Sequence, residues 1–210
     1  MRIVSIVPAF NEEKTIGDVL TVLIKLPEIA EIIVVDDAST DRTGQVAASF
    51  GVTLVSLPEN RGKGGAVKAG LDRSQAEVIL FLDADLVGLH AGHVRQLLAP
   101  VVSGRATMSI GLFECGRMAT DLAQRVAPYL TGQRAVRREA LEHVNDLDIT
   151  RFGFEIALTR QIEAQRLPVA EVQLHNLTHV TKEEKMGLLR GFAARLRMYW
   201  EIVRCYAKSS

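Results

Sequence analysis

Cysteine is scarce in this chain. Cys115 and Cys205 are the two among 210 residues, and they form neither a CxxC pair nor a cluster at metal-ligand spacing. That argues against a disulfide framework and fits a reduced, cytoplasmic setting. Net charge is missing as well: Lys and Arg number 25, and so do Asp and Glu. The balance gives no electrostatic footprint for a nucleic-acid partner. No apolar run approaches the roughly 18 residues that span a bilayer. The opening MRIVSIVPAFNEE breaks its apolar stretch at Pro8 and turns polar; it is too short for a secretory signal and suits a first strand. Internal repeats, low-complexity tracts and linkers are also lacking. What is present is 48% hydrophobic and 24% charged residues, enough for one sizeable core in a soluble or peripheral protein.

The first half alternates two periodicities. Residues 2–7 are continuous and β-branched, as in a strand covered on both faces. A helix is predicted from 12 to about 25, with Ile16, Val19, Leu20 and Leu23 on one stripe. Residues 31–35 form the next strand, ending in Asp36-Asp37, and Ser39, Thr40 and Asp41 offer N-caps for a helix through residue 50. Strands over 52–57 and 77–82 bracket the loop PENRGKGG and a short helix over 66–71. This rhythm predicts an α/β fold with a mostly parallel, Rossmann-like sheet flanked by helices. The second half is less regular. Helices are predicted over 90–101, 137–143 and 152–166, strands over 105–112 and 168–174, and a long helix over 182–208. The expected organisation is one domain, 1–180, with a helical extension, 181–210.

Ligands in such sheets bind beyond the carboxyl ends of the strands, and polar clusters stand at four of these ends. In VILFLDADLVG, Asp83 and Asp85 follow an apolar strand and, two residues apart, project to one side. They belong either to a solvated loop or beside a cation that offsets their repulsion. Hard oxygen ligands suit Mg²⁺ or Mn²⁺, with positions left for substrate phosphates. The loop NRGKGGA, residues 60–66, combines three glycines with Lys63. It is a generic turn or a place where backbone amides and an ammonium meet an anion. It matches neither the P-loop nor the dinucleotide fingerprint. Asp36-Asp37 and Asn11-Glu12 could each be capping residues, but capping poorly explains four clusters at consecutive strand ends.

PAFNEE, VVDDASTDRT, NRGKGGAVKAG and FLDAD, in this order and at these intervals, closely resemble the family 2-like glycosyltransferases of the GT-A fold. The resemblance is strong over residues 2–87 and continues through TGQRAVRREAL and FGFEIALTRQ. It implies a metal-dependent enzyme moving a sugar from a UDP- or GDP-sugar, with Mg²⁺ or Mn²⁺ as cofactor. It also implies roles for particular residues. Pro8, Ala9, Asn11 and Glu12 would line the nucleoside pocket, Asp37 would recognise the base with Ser39 beside it, and Lys63 would lie near the sugar-phosphate. Asp83 would sit by ribose and sugar, Ala84 would complete the DxD motif, and Asp85 would be its metal ligand. The chemistry agrees: breaking the anomeric C–O bond leaves a nucleoside diphosphate, which a metal and Lys63 would stabilise electrostatically. In some relatives a histidine after the 168–174 strand completes the metal site. His179 fits that spacing better than His175, and the other reading is a loop histidine. An imidazole ligand favours Mn²⁺ slightly.

The acceptor side offers alternatives. Glu155 shares a helical face with Leu158 and Ile162 and should point inward. It is either a catalytic base toward an acceptor hydroxyl or an ion-pair partner for Arg134 or Arg151. Gly132, Arg134 and Arg137, with Arg138, either bind an acceptor phosphate or form a solvated face. Polyprenyl phosphate and a small phosphorylated acid are the competing acceptors. The adjacent Glu-Asp pair frequent in inverting members is absent; Asp146 and Asp148 are loose substitutes, so the anomeric outcome stays open. That absence is also the feature favouring a different class, a non-catalytic nucleotide-sugar-binding or scaffolding subunit. In GLLRGFAARLRMYWEIVRCYAK an apolar stripe opposes a basic face, with Trp200 at its edge. Such a helix packs on the core or on the partner of a homodimer, or lies on the inner face of an anionic membrane.

Overall fold

The computed structural model describes residues 1–113, 131–141 and 153–179. The first half is built as β1 (Ile3–Ala9), α1 (Ile16–Leu23), β2 (Glu31–Asp36), α2 (Thr43–Ser49), β3 (Thr53–Ser56), α3 (Gly62–Arg73) and β4 (Val78–Phe81). After it come β5 (Leu86–Val87), α4 (Ala91–Val102), β6 (Met108–Phe113), β7 (Arg134–Arg137), α5 (Gly153–Ala164), β8 (Val169–Leu174) and β9 (Thr178–His179). Seven strands form one sheet in the order β3-β2-β1-β4-β7-β6-β8, and β5 pairs with β9 separately. Only β7 in the large sheet runs antiparallel to its neighbours. This is the expected α/β architecture.

The sheet is apolar on both faces because both are covered. Ile3 and Val7 of β1 join Val34 and Leu80 on one face, under Ile16, Leu20 and Leu23 of α1 and Val94 and Leu97 of α4. Val4 and Ile6 turn the other way, with Ile33, Ile79 and Phe81, against Val67 and Leu71 of α3 and Phe154, Leu158 and Ile162 of α5. Alternation along each strand assigns its side chains to the two cores. The parallel strands consequently all end at one edge, where the loops after β1, β2, β3 and β4 converge.

Four elements differ from the sequence expectation. The helix expected from residue 66 begins at Gly62, so the Gly-rich loop is the first turn of α3. A strand, β7, stands over Arg134–Arg137, where no element was expected, and the short helix predicted over 137–143 is represented by a 3₁₀ turn at Arg138–Ala140. The four residues of β7 begin and end in arginine, which hides an apolar strand signal. β5 and β9 are two residues each, too short for any periodicity. The boundary at residue 180, the helix predicted over 182–208 with Trp200, Cys115, Cys205, Asp146, Asp148 and Arg151 lie outside the described residues. Among the described residues no helix is long and apolar enough to cross a membrane.

α3 lies close on the sheet because of Gly70. A Cβ there would stand 2.6 Å from Ile6 Cγ2 and 3.2 Å from Val35 Cγ2. Gly70→Ala is therefore expected to destabilise the protein by about 1–3 kcal/mol through overpacking, read from its urea unfolding midpoint. An unchanged midpoint would show that α3 can stand off the sheet.

Candidate active site

The loops after β1 and β2 are laced into one wall. Asn11 adopts a left-handed backbone, φ 57°, and its N–H donates to Ser39 Oγ at 3.0 Å. The Thr40 N–H and hydroxyl donate back to Asn11 Oδ1 at 2.8 and 3.2 Å. Glu12 N–H donates to Thr43 Oγ1 at 2.7 Å. Pro8 and Ala9 end β1 beside β2, and the Asp37 N–H donates to the Ala9 carbonyl at 2.9 Å. The paired aspartates after β2 divide their work. Asp36 Oδ1 caps the turn by accepting the Ser39 N–H at 3.0 Å. Asp37, buried, accepts the Arg61 N–H at 2.7 Å, and Asn60 Nδ2 donates to its carbonyl at 3.2 Å. The residues expected around a nucleoside, Pro8, Ala9, Asn11, Glu12, Asp37 and Ser39, thus share one end of the sheet with the start of α3.

Beside that wall lies a knot of charge in which Glu155 is buried while Lys63 and Asp83 remain partly exposed. Lys63, on the first turn of α3, places Nζ 2.5 Å from Asp83 Oδ1 and 2.8 Å from Glu155 Oε1. Gln133 Nε2 donates to Asp83 Oδ2 at 2.9 Å. Burial alone would push the Lys63 ammonium toward neutrality, but Asp83 and then Glu155 outweigh it and hold its pKa above the ordinary lysine value. Burial likewise pushes the Asp83 carboxyl up, and Lys63 with help from His179 brings it below its usual value. Glu155 is 1% exposed, and its Oε2 has no hydrogen-bond partner among the described residues. Gly132 presses its backbone against this knot: a Cβ there would fall on Lys63 Nζ and the Asp83 carboxylate.

The arginine cluster of the sequence is not a cluster in space. β7 pairs Arg134 with Phe81 at the carboxyl end of β4 and Arg137 with Val78 at its start. Arg134 is fully buried. Its Nε donates to the Thr131 carbonyl at 3.0 Å and its Nη1 to Thr159 Oγ1 at 3.0 Å and the Glu155 carbonyl at 3.3 Å. Arg137 Nη2 donates to the Val101 carbonyl at 3.1 Å, and Arg138 donates to the carbonyls of Ala76 and Ser74 at 2.7 and 2.6 Å. The acceptor-binding expectation for Arg134 and Arg137 is corrected accordingly. One guanidinium braces the site from within, and the other lies at the opposite edge of the sheet. Gly132 does lie at the site. Gln133 was missed by sequence reading; an amide preceding an unrecognised strand carries no signal.

The third feature is a set of ligand atoms. Asp83, Asp85 and His179 each offer one within 4.8 Å of the others. Asp83 and Asp85, with Ala84 buried between them, follow β4 directly. His179 arrives through the β5–β9 ribbon, which pairs Leu86 with His179. His179 Nδ1 stands 3.0 Å from Asp85 Oδ1, and its ring meets Phe113 edge-on with centroids 4.7 Å apart. Burial pushes the imidazole pKa down, but the Asp85 hydrogen bond and the charges of Asp83 and Asp85 raise it above the ordinary value. His175, the alternative from spacing, is exposed and lies in the turn before β9. Two carboxylates and an imidazole fit Mn²⁺ or Mg²⁺ as a donor set. Asp83, which the family resemblance put by the ribose and sugar, belongs to this set too, as the pairing of the two aspartates beside a cation had suggested.

Residues 5–161 match the family model for glycosyl transferase family 2. Among curated proteins, the chain is 38% identical over 109 residues to an uncharacterised protein of Methanocaldococcus jannaschii, covering 50% of this chain and 44% of that one. It is 37% identical over 113 residues to a glucosyl-3-phosphoglycerate synthase of Mycolicibacterium paratuberculosis, covering 49% and 34%. The matches thus span less than half the length of these relatives. Among solved structures, the glucosyl-3-phosphoglycerate synthase of Mycobacterium tuberculosis with Mn²⁺, UDP-glucose and phosphoglyceric acid superposes with a TM-score of 0.73 at 28% identity, over 85% of this chain and 71% of that one. The same enzyme with Mg²⁺ and UDP gives 0.74 at 25% identity, over 92% and 79%.

Removing Lys63 would leave the buried Glu155 and the part-buried Asp83 without their shared counter-ion. Lys63→Met is expected to cost about 1–3 kcal/mol in the metal-free protein, measured by urea unfolding, and adding Asp83→Asn should recover part of it. Unchanged stability would mean that the knot is solvated and carries no such charge.

Proposed function

The chain belongs to glycosyl transferase family 2, and we propose that it moves a sugar from a nucleotide sugar to a phosphate-bearing acceptor, with Mn²⁺ or Mg²⁺ as cofactor. UDP is the preferred nucleotide over GDP in this reading, because the superposed mycobacterial structures hold UDP or UDP-glucose. The observation that carries the proposal is the convergence of Asp83, Asp85 and His179 beside Lys63 at the carboxyl end of β4. The division into a catalytic unit, 1–180, and a helical extension, 181–210, is part of the same proposal.

Asp85 and His179, with Asp83, would hold the cation. When bound, it supplies electrostatic stabilisation to the departing diphosphate. The wall of Asn11, Glu12, Asp37 and Ser39 would hold the nucleoside. Lys63, kept protonated by Asp83 and Glu155, would add fixed positive charge near the anomeric carbon's leaving group. Gly132, with no side chain, would let its backbone sit against the Lys63–Asp83 pair without displacing either charge. In the transfer step the acceptor oxygen bonds to the anomeric carbon, the bond from that carbon to the diphosphate oxygen breaks, and the electron pair leaves with the nucleoside diphosphate. An acceptor hydroxyl would give its proton to Glu155, whose Oε2 has no hydrogen-bond partner among the described residues. A phosphate oxygen would need no such base. Glu155 therefore favours a phosphorylated hydroxy acid over polyprenyl phosphate, in keeping with the phosphoglyceric acid held by the superposed relative.

Thermal unfolding with UDP-, GDP-, dTDP- and CDP-sugars, with and without Mn²⁺, tests the donor site. A ligand at a hundredfold excess over its dissociation constant adds about 2.7 kcal/mol. The expected result is a Mn²⁺-dependent rise with the UDP-sugar, abolished by Asp85→Asn. No rise with any donor would favour a non-catalytic member that keeps only the fold.

Metal binding should also depend on pH, since His179 must lose its proton to ligate. Mn²⁺ affinity is expected to rise between about pH 6 and about pH 8, and His179→Ala should flatten that rise. In the metal-free protein the sign is opposite. The raised imidazole pKa means the His179–Asp85 contact contributes fully below the ordinary histidine value and is lost as pH climbs through the raised one.

A further inference from the structure

His179 reaches the two aspartates only because β9 lies against β5, and that ladder is two residue pairs long, Leu86 with His179 and Val87 with Thr178. So short a ribbon cannot fix a side chain by its own hydrogen bonds. Leu174 and Leu177, both buried, anchor the turn between β8 and β9 in the core. Gly88, with φ 83°, lets its backbone press against the Asn176 carbonyl. A buried polar contact is added to these. His93, in the first turn of α4 and 2% exposed, sets Nε2 2.9 Å from the His175 carbonyl.

A carbonyl only accepts, so Nε2 carries the proton and Nδ1 is bare. Nδ1 faces the His90 N–H at 3.4 Å, which suits that tautomer. Burial keeps the ring's pKa below the ordinary histidine value and so favours the neutral form. The His90 ring stacks on it with centroids 3.5 Å apart. If this position served packing alone, leucine or phenylalanine would fill it without a polar ring to satisfy. The histidine adds a directed hydrogen bond to the turn that delivers His179.

We propose that His93 is a positioning residue for the cation centre, holding the 175–178 turn so that His179 faces Asp85. The inference rests on the reading of Asp83, Asp85 and His179 as that centre. Groups hydrogen-bonded directly to a metal ligand commonly change metal affinity by 10- to 100-fold when removed; His93 acts one step further back, through the His175 carbonyl, so the low end of that range is expected.

The test uses the full chain and Mn²⁺ alone, with free Mn²⁺ counted by electron paramagnetic resonance and unfolding of the metal-free protein followed in parallel. His93→Phe keeps the volume and loses the hydrogen bond; its Mn²⁺ affinity is expected to fall about tenfold. His93→Gln places an amide donor near the Nε2 position and should return to within about threefold of the parent. A purely structural role would lower the unfolding temperature without separating these two variants. If His93→Phe does not fold, His93→Asn, whose amide falls short of the carbonyl, takes its place with the same expected loss. Parent-like affinity in folded His93→Phe or His93→Asn would overturn the proposal. So would equal weakening in His93→Gln, because the loss would then be one of packing. Asp85→Asn separates the two levels of argument. If the parent binds no Mn²⁺, or Asp85→Asn binds it as the parent does, the cation centre itself is wrong and this role falls with it.

Discussion

Two carboxylates at the mouth of a buried strand repel each other, and the arrangement of this molecule around Asp83 and Asp85 answers that repulsion. Lys63 neutralises Asp83 from one side and His179 faces Asp85 from the other. Neither partner is local in sequence. Lys63 depends on α3 lying close to the sheet, which Gly70 permits. His179 depends on a ribbon of two residue pairs. Glu155, brought by α5, makes Lys63 a shared counter-ion rather than a simple partner, and Arg134 braces the backbone of that helix from beneath. The site is thus a balance of charge assembled from four separate stretches of chain, held at low exposure where such balances have the largest effect.

This balance suits a protein that must take in a divalent cation and a diphosphate together. The cation would replace part of what Lys63 and His179 supply to the aspartates, and the diphosphate would in turn meet Lys63. Charge could then be exchanged between protein and ligands with little left uncompensated at any stage. Membership of glycosyl transferase family 2 and superposition on UDP- and Mn²⁺-bound relatives point the same way.

How much of this was legible in the sequence depended on the length of the pattern. β2 and β4 announced themselves through runs of four or more apolar residues, β1 and β3 through shorter apolar stretches broken by Ser or Thr, and the polar clusters at their ends followed from parallel-sheet geometry. His179 was found by its distance from β8, although the ribbon that delivers it was invisible at two residues per strand. β7 was missed because arginines bound it, and without that strand Arg134 and Arg137 read as neighbours, free to bind an acceptor or to face solvent. Arginine is read as exposed by default, whereas here one guanidinium is wholly internal and satisfied by carbonyls and a hydroxyl. The contacts of Gln133 and the close approach of Gly132 are tertiary facts with no counterpart in spacing.

The account stands or falls on whether these residues act on a donor. The most direct measurement is release of UDP from UDP-glucose, followed with Mn²⁺ present and again after chelation, with a phosphorylated hydroxy acid added as acceptor. The account predicts UDP release that requires the metal, is accelerated by the acceptor, and disappears in Asp85→Asn. Release that persists in excess chelator, or a folded protein that releases none with any nucleotide sugar, would contradict it.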